Sequence, residues 1–447
     1  MNLTSSKKVF LFVVIMSLLV CSTNLIVPAN LPQQNLNVYD KERGKNMLLS
    51  LKEDLKKYYY DSTFHSMDVD TRFKAAEEKI QQATSNGQIF GIIAQTLMDL
   101  NDSHTFFLPP SRTAKVEYGW QVQMIGNKCY VVAVKPDSDG DKKGLRPGDE
   151  VETINGFAPS RQDLWKIQYT YNTLRPQPAV RFLVKRPDGE KAQIDVVSKI
   201  TQGKAIQDLT DDEGLDFLQI IREQENNNQL NRHRFVDIGD ITVWKMPQFD
   251  LSEQEVDKAM DIVKKSKGLI IDLRRNPGGL VSMLQRLVGS FFEQDIKIGE
   301  LKGRKETKPL IAKSRGKKAY TGKVVVLIDS KSASCSEIFS RVMQLEKRGT
   351  IIGDTSSGSV MISRSYRHQL GMDVVVFYGA SITQSDLIMT DGKSLEHIGI
   401  TPNEIILPSA SNLAAEKDPV LTRAAEILGK SISEEKAGQL FPIEWQK

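Results

Sequence analysis

A bulky apolar run, a polar turn and an amphipathic pattern follow one another within residues 324–363, and this succession narrows the possible folds more than any other stretch. Val324, Val325, Val326, Leu327 and Ile328 are β-branched or large, which suits a strand covered on both faces of a sheet. Asp329 to Ser332 carry turn chemistry, and Ile338, Phe339, Val342 and Met343 then recur at helical spacing. The pattern predicts a strand, a tight turn and a helix. Ser334 falls at the turn, where a serine has two uses. It can be a nucleophile, because amide N–H groups at the start of a helix lack partners within it and can stabilise a developing oxyanion. It can also be a helix cap, with Glu337 three residues on completing a capping box. On local pattern alone the cap is the simpler reading.

The same grammar recurs upstream. Residues 241–246 read as a strand, 252–264 as a helix, 268–273 as a strand and 280–292 as a helix. A sharp turn over Arg274, Arg275, Asn276, Pro277, Gly278 and Gly279 joins the last two. Strands alternating with helices of this length argue for βαβ units, whose functional loops lie at the C-terminal ends of the strands. Both the Gly278-Gly279 turn and the serine turn sit at such ends. Paired glycines let backbone N–H groups approach a ligand closely, and a tight turn calls for them too. Residues 235–425 are therefore expected to form an α/β core. A closing helix with Pro419 in its first turn and a tail over 426–447 complete the chain.

Ahead of the core, residues 40–112 read as helical. Amphipathic patterns over 46–56 and 71–80 continue through 89–100 and stop before Pro109-Pro110. This run ends in Asn101, Asp102, Ser103, His104 and Thr105, and a lone histidine in such a place is ordinarily structural or exposed. Residues 1–27 join Lys7 and Lys8 to an apolar run from Val9 to Cys21, the pattern of a signal peptide. Leu19-Val20-Cys21 weakly resembles a bacterial lipoprotein signal, and counted through Val27 the run reaches the length of an uncleaved anchor. Export follows, to the periplasm, the cell envelope or the exterior, with membrane attachment through the N-terminus left open.

With 60 basic against 56 acidic residues and a net charge of +4, nothing points to nucleic acid. Three cysteines, Cys21, Cys129 and Cys335, cannot build a disulfide framework. His104, His368 and His397 lack the closely spaced partners of a metal site, and phosphate-binding glycine loops are absent, so neither metal nor cofactor is expected. The strongly basic stretch 302–318 reads as a solvated loop near the active cleft.

Residues 115–200 form a separable β-rich module. Residues 131–134 and 180–184 read as strands, with a turn at Arg146-Pro147-Gly148-Asp149. Gly144 to Gly156 closely resembles the signature turn and strand of a PDZ domain. That resemblance implies a groove taking an extended peptide, often through its free C-terminus, by strand addition. Tyr118, Gly119, Trp120 and Gln121 are then the expected loop for the peptide carboxylate. Residues 201–234 are polar and read as a connector.

Taken together, residues 270–279, residues 332–339 and the PDZ-like module resemble the C-terminal processing (tail-specific) serine peptidases. Gly353-Asp354-Thr355-Ser356 and Gly399-Ile400-Thr401-Pro402 add further matches, and the likeness covers roughly residues 40–425. It implies an N-terminal helical region, an inserted PDZ domain and a ClpP/crotonase-like α/β core. It also implies Ser334 as nucleophile, with the N–H of Cys335 and of Gly278 or Gly279 as oxyanion donors, and peptides or proteins as substrates. Most such enzymes pair the serine with a lysine, and the positions where that lysine and its glutamine partner belong hold Ser359 and Ser363. A serine hydroxyl stays protonated near neutral pH and cannot be that base. The tricorn-like branch of the same superfamily instead uses a histidine, which implies His104 as base with Glu396 or Ser103 orienting it. Asp102 is a weaker orienting residue and His397 a competing base. Two other readings stand beside this one: Cys335 as a thiol nucleophile, and an inactive scaffold that binds peptides through its PDZ-like groove.

Overall fold

The computed structural model describes residues 36–110, 114–202, 232–371 and 375–445. The expected signal or anchor over 1–27 and most of the connector over 201–234 lie outside them. Among the described residues no helix is long and apolar enough to cross a membrane.

Three helices come first: α1 (Val38–Tyr58), α2 (Val69–Gln82) and α3 (Asn86–Met98). Each starts where a side chain satisfies a first-turn amide, with Asn37, Asp68 and Ser85 accepting from the N–H of Asp40, Thr71 and Gln88. Helix α1 begins well before residue 46 because Asn37 and Asp40 form a full capping box. The apolar faces of the three helices bury Leu48, Leu51, Phe73, Ile80 and Ile93 together with Phe107 of β1 (Phe106–Leu108).

Next comes the β-rich module. Strand β2 (Ala114–Glu117) leads into β3 (Trp120–Ile125), β4 (Lys128–Val134) and β5 (Glu150–Ile154). Helix α4 (Leu164–Tyr169) precedes β6 (Ala179–Lys185) and β7 (Lys191–Val197), and β8 (Lys199–Gln202) pairs back on β2. The five-stranded antiparallel sheet runs in the order β3-β4-β5-β6-β7, which leaves β3 at one edge. Its own core holds Val131, Val151, Phe182 and Val184. The turn at residues 146–149 is fixed by the buried Asp149, which accepts from the Arg146 N–H (2.9 Å) and the Arg186 guanidinium (2.8 Å).

The core contains β9 (Arg234–Ile238), β10 (Ile241–Lys245), α5 (Glu253–Val263), β11 (Gly268–Asp272) and α6 (Val281–Gly289). These are followed by β12 (Ile296–Gly303), β13 (Thr307–Ala312), β14 (Lys323–Ile328), α7 (Cys335–Leu345) and β15 (Thr350–Gly353). Last come β16 (Met361–Leu370), β17 (Val376–Met389), β18 (Glu404–Ile405) and α8 (Pro419–Ile427). The main sheet has the order β18-β15-β14-β11-β10-β9 and is parallel except at β9. Its apolar runs are continuous because both faces are covered. Leu269, Ile271, Val324, Val326 and Ile328 join the cluster of α5, α6 and α7, whereas Ile270, Val325 and Leu327 join that of α8. Ala437, from a short helix Glu434–Gln439, is buried in the second cluster, so the tail packs on the core.

The second sheet is organised by β17, which pairs with β1, β12 and β16. It corrects the reading of residues 302–318 as a loop. Most of that stretch belongs to the β12–β13 hairpin, because Leu310 and Ala312 alternate into the core while the basic residues between strand positions face water.

Candidate active site

Strand β14 ends at Ile328, and the turn after it holds Ser334 at φ 54°, ψ −120°, a conformation rarely adopted outside glycine. Such a backbone costs about 1–3 kcal/mol and persists only where its surroundings over-determine it. Here they do. The Ser334 N–H donates to the Ser359 carbonyl (2.7 Å) and to the Glu337 carboxylate (3.0 Å), and the Ala333 N–H donates to the Asn276 carbonyl (3.0 Å). Gly278 packs so closely that a Cβ there would stand 2.6 Å from the Ser334 Cβ.

Glu337 is fully buried and does more than cap α7. Its oxygens also accept from the Ser356 hydroxyl (2.6 Å) and from the N–H groups of Gly358 (2.7 Å) and Ser359 (3.0 Å). Burial pushes this carboxyl up to about 7, against the pull of its donors. The sequence signal for it was the three-residue spacing from Ser334, read above as a cap.

Of the three expected oxyanion donors, the structure leaves two. The Gly278 N–H is spent on the Asn276 side-chain oxygen (2.8 Å), which corrects its assignment as a free donor. The N–H groups of Gly279 and Cys335 donate to no other residue among the described residues. The Cys335 thiol is buried against the Gly279 carbonyl (3.3 Å), and burial pushes it up to about 12, so it is no thiolate near neutral pH.

His104 is carried by the turn between α3 and β1. Its Nδ1 lies 2.7 Å from the Ser103 Oγ, and that hydroxyl lies 2.9 Å from Glu396 Oε2. Glu396 also accepts the Ser103 N–H (2.9 Å). A carboxylate can only accept, so the single hydroxyl hydrogen of Ser103 goes to Glu396, and Nδ1 must then carry a hydrogen and donate to Ser103. That fixes the tautomer and leaves a lone pair on Nε2. Burial lowers the His104 pKa, opposed by the charges of Glu396 and Asp102, so the ring is neutral at pH 7 and able to take a proton. No hydrogen bond joins Nε2 to the Ser334 Oγ in this structure.

Asp102 is buried and caps the turn, accepting from the N–H of His104 (2.8 Å) and Thr105 (3.0 Å) and from the Thr383 hydroxyl (2.7 Å), without a bond to the imidazole. His397 is exposed, and its Nε2 is engaged by the Asn101 carbonyl (2.9 Å) while lying 3.6 Å from Glu396 Oε1.

One peptide group ties the two halves. The Ser359 carbonyl accepts the Ser334 N–H, and the N–H of Val360, on the same peptide bond, donates to Glu396 Oε2 (2.9 Å). The position where a lysine base belongs thus contributes backbone, while its hydroxyl pairs with Ser357 (3.0 Å). Ser363 likewise faces a serine, accepting from the Ser381 hydroxyl (3.0 Å).

The β-module docks on these turns through its edge strand. Gln123 donates to Asp329 (2.7 Å), the Ser330 hydroxyl bonds the Met124 carbonyl, and the Arg275 guanidinium bonds the Gln121 side chain. Tyr118, Trp120 and Gln121 line a cleft of about 190 Å³ between β3 and the α4 region, with Gly119 (φ 69°) turning the chain into β3. The Tyr118 hydroxyl is held by the Tyr171 carbonyl (2.9 Å) and the Gln177 N–H (2.8 Å). Among the described residues no group of His, Cys, Asp and Glu could hold a metal ion.

Residues 237–406 match peptidase family S41. The chain is 26% identical over 305 residues to the carboxy-terminal processing protease CtpB of Bacillus subtilis (strain 168), an alignment spanning 65% of this chain and 58% of that relative. It is 22% identical over 401 residues to the carboxy-terminal processing protease CtpA of the same organism, spanning 88% of this chain and 76% of the relative. Among solved structures, mature CPAF superposes with a TM-score of 0.63 at 14% identity, covering 84% of this chain and 94% of that one, a likeness of fold.

Proposed function

We propose that the chain, whose residues 237–406 match peptidase family S41, is an exported serine endopeptidase of the C-terminal processing type with a histidine base. Ser334 attacks the scissile carbonyl while His104 Nε2 takes its proton. Ser103 holds the Nδ1–H, and Glu396 holds Ser103. The Gly279 and Cys335 N–H groups receive the oxyanion, His104 returns the proton to the leaving amine, and water then releases the acyl group by the reverse route. The β-module acts as a PDZ-like site that presents peptides to this centre, and the basic, then apolar, N-terminus directs export.

The observation that carries this reading is the shared peptide between Ser359 and Val360, which links the N–H of Ser334 to Glu396 and so to the imidazole. The Ser103–His104–Glu396 array with a free Nε2 also counts against a scaffold that only binds. A fluorophosphonate probe tests it directly. Labelling of Ser334, mapped by mass spectrometry and lost in His104→Ala, is the expected result. An unlabelled protein that turns over no unfolded substrate yet binds peptides would overturn it in favour of the scaffold.

A further inference from the structure

The cleft beside β3 has an unusual floor. Its walls are mainly apolar, with Trp120, Val122, Ile167 and Tyr171 beside the neutral Gln121, Gln168 and Asn172, and where it meets the core it is lined by Arg275 and Lys331. Both are half-buried, and both belong to the catalytic turns. Arg275 stands three residues before Gly278, and Lys331 three before Ser334. Neither is within ion-pair distance of a carboxylate among the described residues. Among the described residues the Arg275 guanidinium bonds only the neutral Gln121 side chain, and Lys331 Nζ has no hydrogen-bond or ion-pair partner. Nearby acids are already engaged. Asp272 is held by Arg274 (2.8 Å) and Lys245 (3.1 Å). Asp329 accepts from Gln123, from the N–H groups of Arg275 (2.9 Å) and Lys331 (3.0 Å), and from the Ser332 hydroxyl (3.3 Å).

Cations taken out of water without a counter-charge are costly. Burial, reinforced by the charge of Arg275 and opposed by that of Asp329, lowers the Lys331 pKa to about 8, so the ammonium is still largely charged at pH 7. An anion entering the cleft would meet two cations, with apolar walls to exclude water and strengthen the contact.

We propose that Arg275 and Lys331 form a carboxylate-binding pair that selects peptides carrying a negative charge next to an apolar residue in the cleft. The inference rests on the peptide-binding part of the proposed function and not on turnover. A C-terminal carboxylate and an acidic side chain share this chemistry. A carboxylate seated there lies on the core side of the cleft, against side chains from the two catalytic turns. That differs from the Tyr118–Gln121 loop expected from the sequence, and it makes charge recognition a property of the peptidase core.

Binding to Ser334→Ala protein, measured by fluorescence anisotropy, separates the possibilities. Three labelled decapeptides suffice: one ending in Ala-Val with a free carboxylate, its C-terminal amide, and the amide with glutamate as its penultimate residue. Mass spectrometry after each titration verifies that no cleavage has occurred, so failure to bind is distinct from failure to catalyse. The expected result is that at least one charged peptide binds about tenfold or more tightly than the uncharged amide. Lys331→Met should remove most of that preference while leaving amide binding and thermal unfolding unchanged; Arg275→Met should remove it too, at some cost in stability from the lost Gln121 bond, and Arg275→Lys should restore part of it. Preference for the free acid identifies the terminus as the source, and preference for the glutamate peptide identifies a side chain. Equal binding of all three peptides, or a preference intact in both methionine variants, overturns the assignment.

Discussion

The nucleophile and base halves of the site are built in opposite ways. Around Ser334, a short contiguous segment is locked by backbone bonds and by a buried carboxylate three residues away, and the turn carries a left-handed non-glycine residue. Around His104, side chains do the holding across the fold. Glu396 reaches Ser103 over 293 positions of sequence, and Thr383 reaches Asp102 over 281. A locally over-determined turn can hold strain and aim a hydroxyl. A base assembled from distant segments depends on the whole fold, but each contact is separately removable. Damage to the first half should therefore register in stability, and damage to the second in rate.

The severest way to break this comparison is to remove each reacting group. Ser334→Ala and His104→Ala should each lower kcat/KM on an unfolded protein substrate by about 10,000-fold or more, and the double variant should be little worse than either. Thermal unfolding should barely move in Ser334→Ala and should fall only modestly, by about 1 kcal/mol, in His104→Ala, which gives up the Nδ1 bond to Ser103. Activity above about a tenth of normal in His104→Ala would place the base elsewhere.

A sharper contrast comes from the two glutamates. Glu337→Gln puts an amide NH2 against donors from Ser334, Ser356, Gly358 and Ser359, and at least one of these is left unsatisfied in a buried place. Urea denaturation should show a loss of about 2–4 kcal/mol, with activity falling alongside. Glu396→Gln meets the N–H groups of Ser103 and Val360 in a less buried setting. It should cost about 100-fold in kcat by loosening the imidazole, with less than about 1.5 kcal/mol of stability. Equal stability losses in the two would erase the distinction between the halves.

What the sequence revealed follows the same division. The apolar run before Ser334, the turn and the helix spacing are local, and the strand, turn and helix appear where that pattern puts them. The glycine turn was legible for the same reason. The choice between Gly278 and Gly279 was not, because it depends on how the Asn276 side chain folds back. Glu396 was reachable only through family likeness, since nothing near it marks a partner for Ser103. The Ser359–Val360 strut is backbone and leaves no trace in residue identity. Residues 302–318 misled because charge density was read without the alternation that buries Leu310 and Ala312.

The two halves also respond differently to pH. Catalysis needs a neutral His104, and burial holds its pKa below the ordinary 6.5. The limb set by His104 should thus have its midpoint below pH 6.5, beneath a separate loss near pH 7 as Glu337 protonates and its four donors lose an ionised acceptor. Glu396 raises that pKa through its charge, so in Glu396→Gln the residual activity should show its limb at still lower pH. A limb that moves upward, or does not move, would disconnect Glu396 from the base.

The smallest effect belongs to His397, the neighbour of Glu396. Its N–H and ring bond the Gly358 and Asn101 carbonyls, each at the edge of one half, yet its side chain is exposed. Exposed hydrogen bonds of this kind contribute about 0.5–1.5 kcal/mol at most, and the backbone bond survives substitution. His397→Ala should change kcat by less than about threefold, because its side chain is exposed and makes no bond to the imidazole of His104. A loss of activity as deep as that of Ser334→Ala, with His104→Ala active, would exchange the two histidines and make the base a local feature of the 396–400 turn. The contrast between a local nucleophile and a long-range base depends on that not happening.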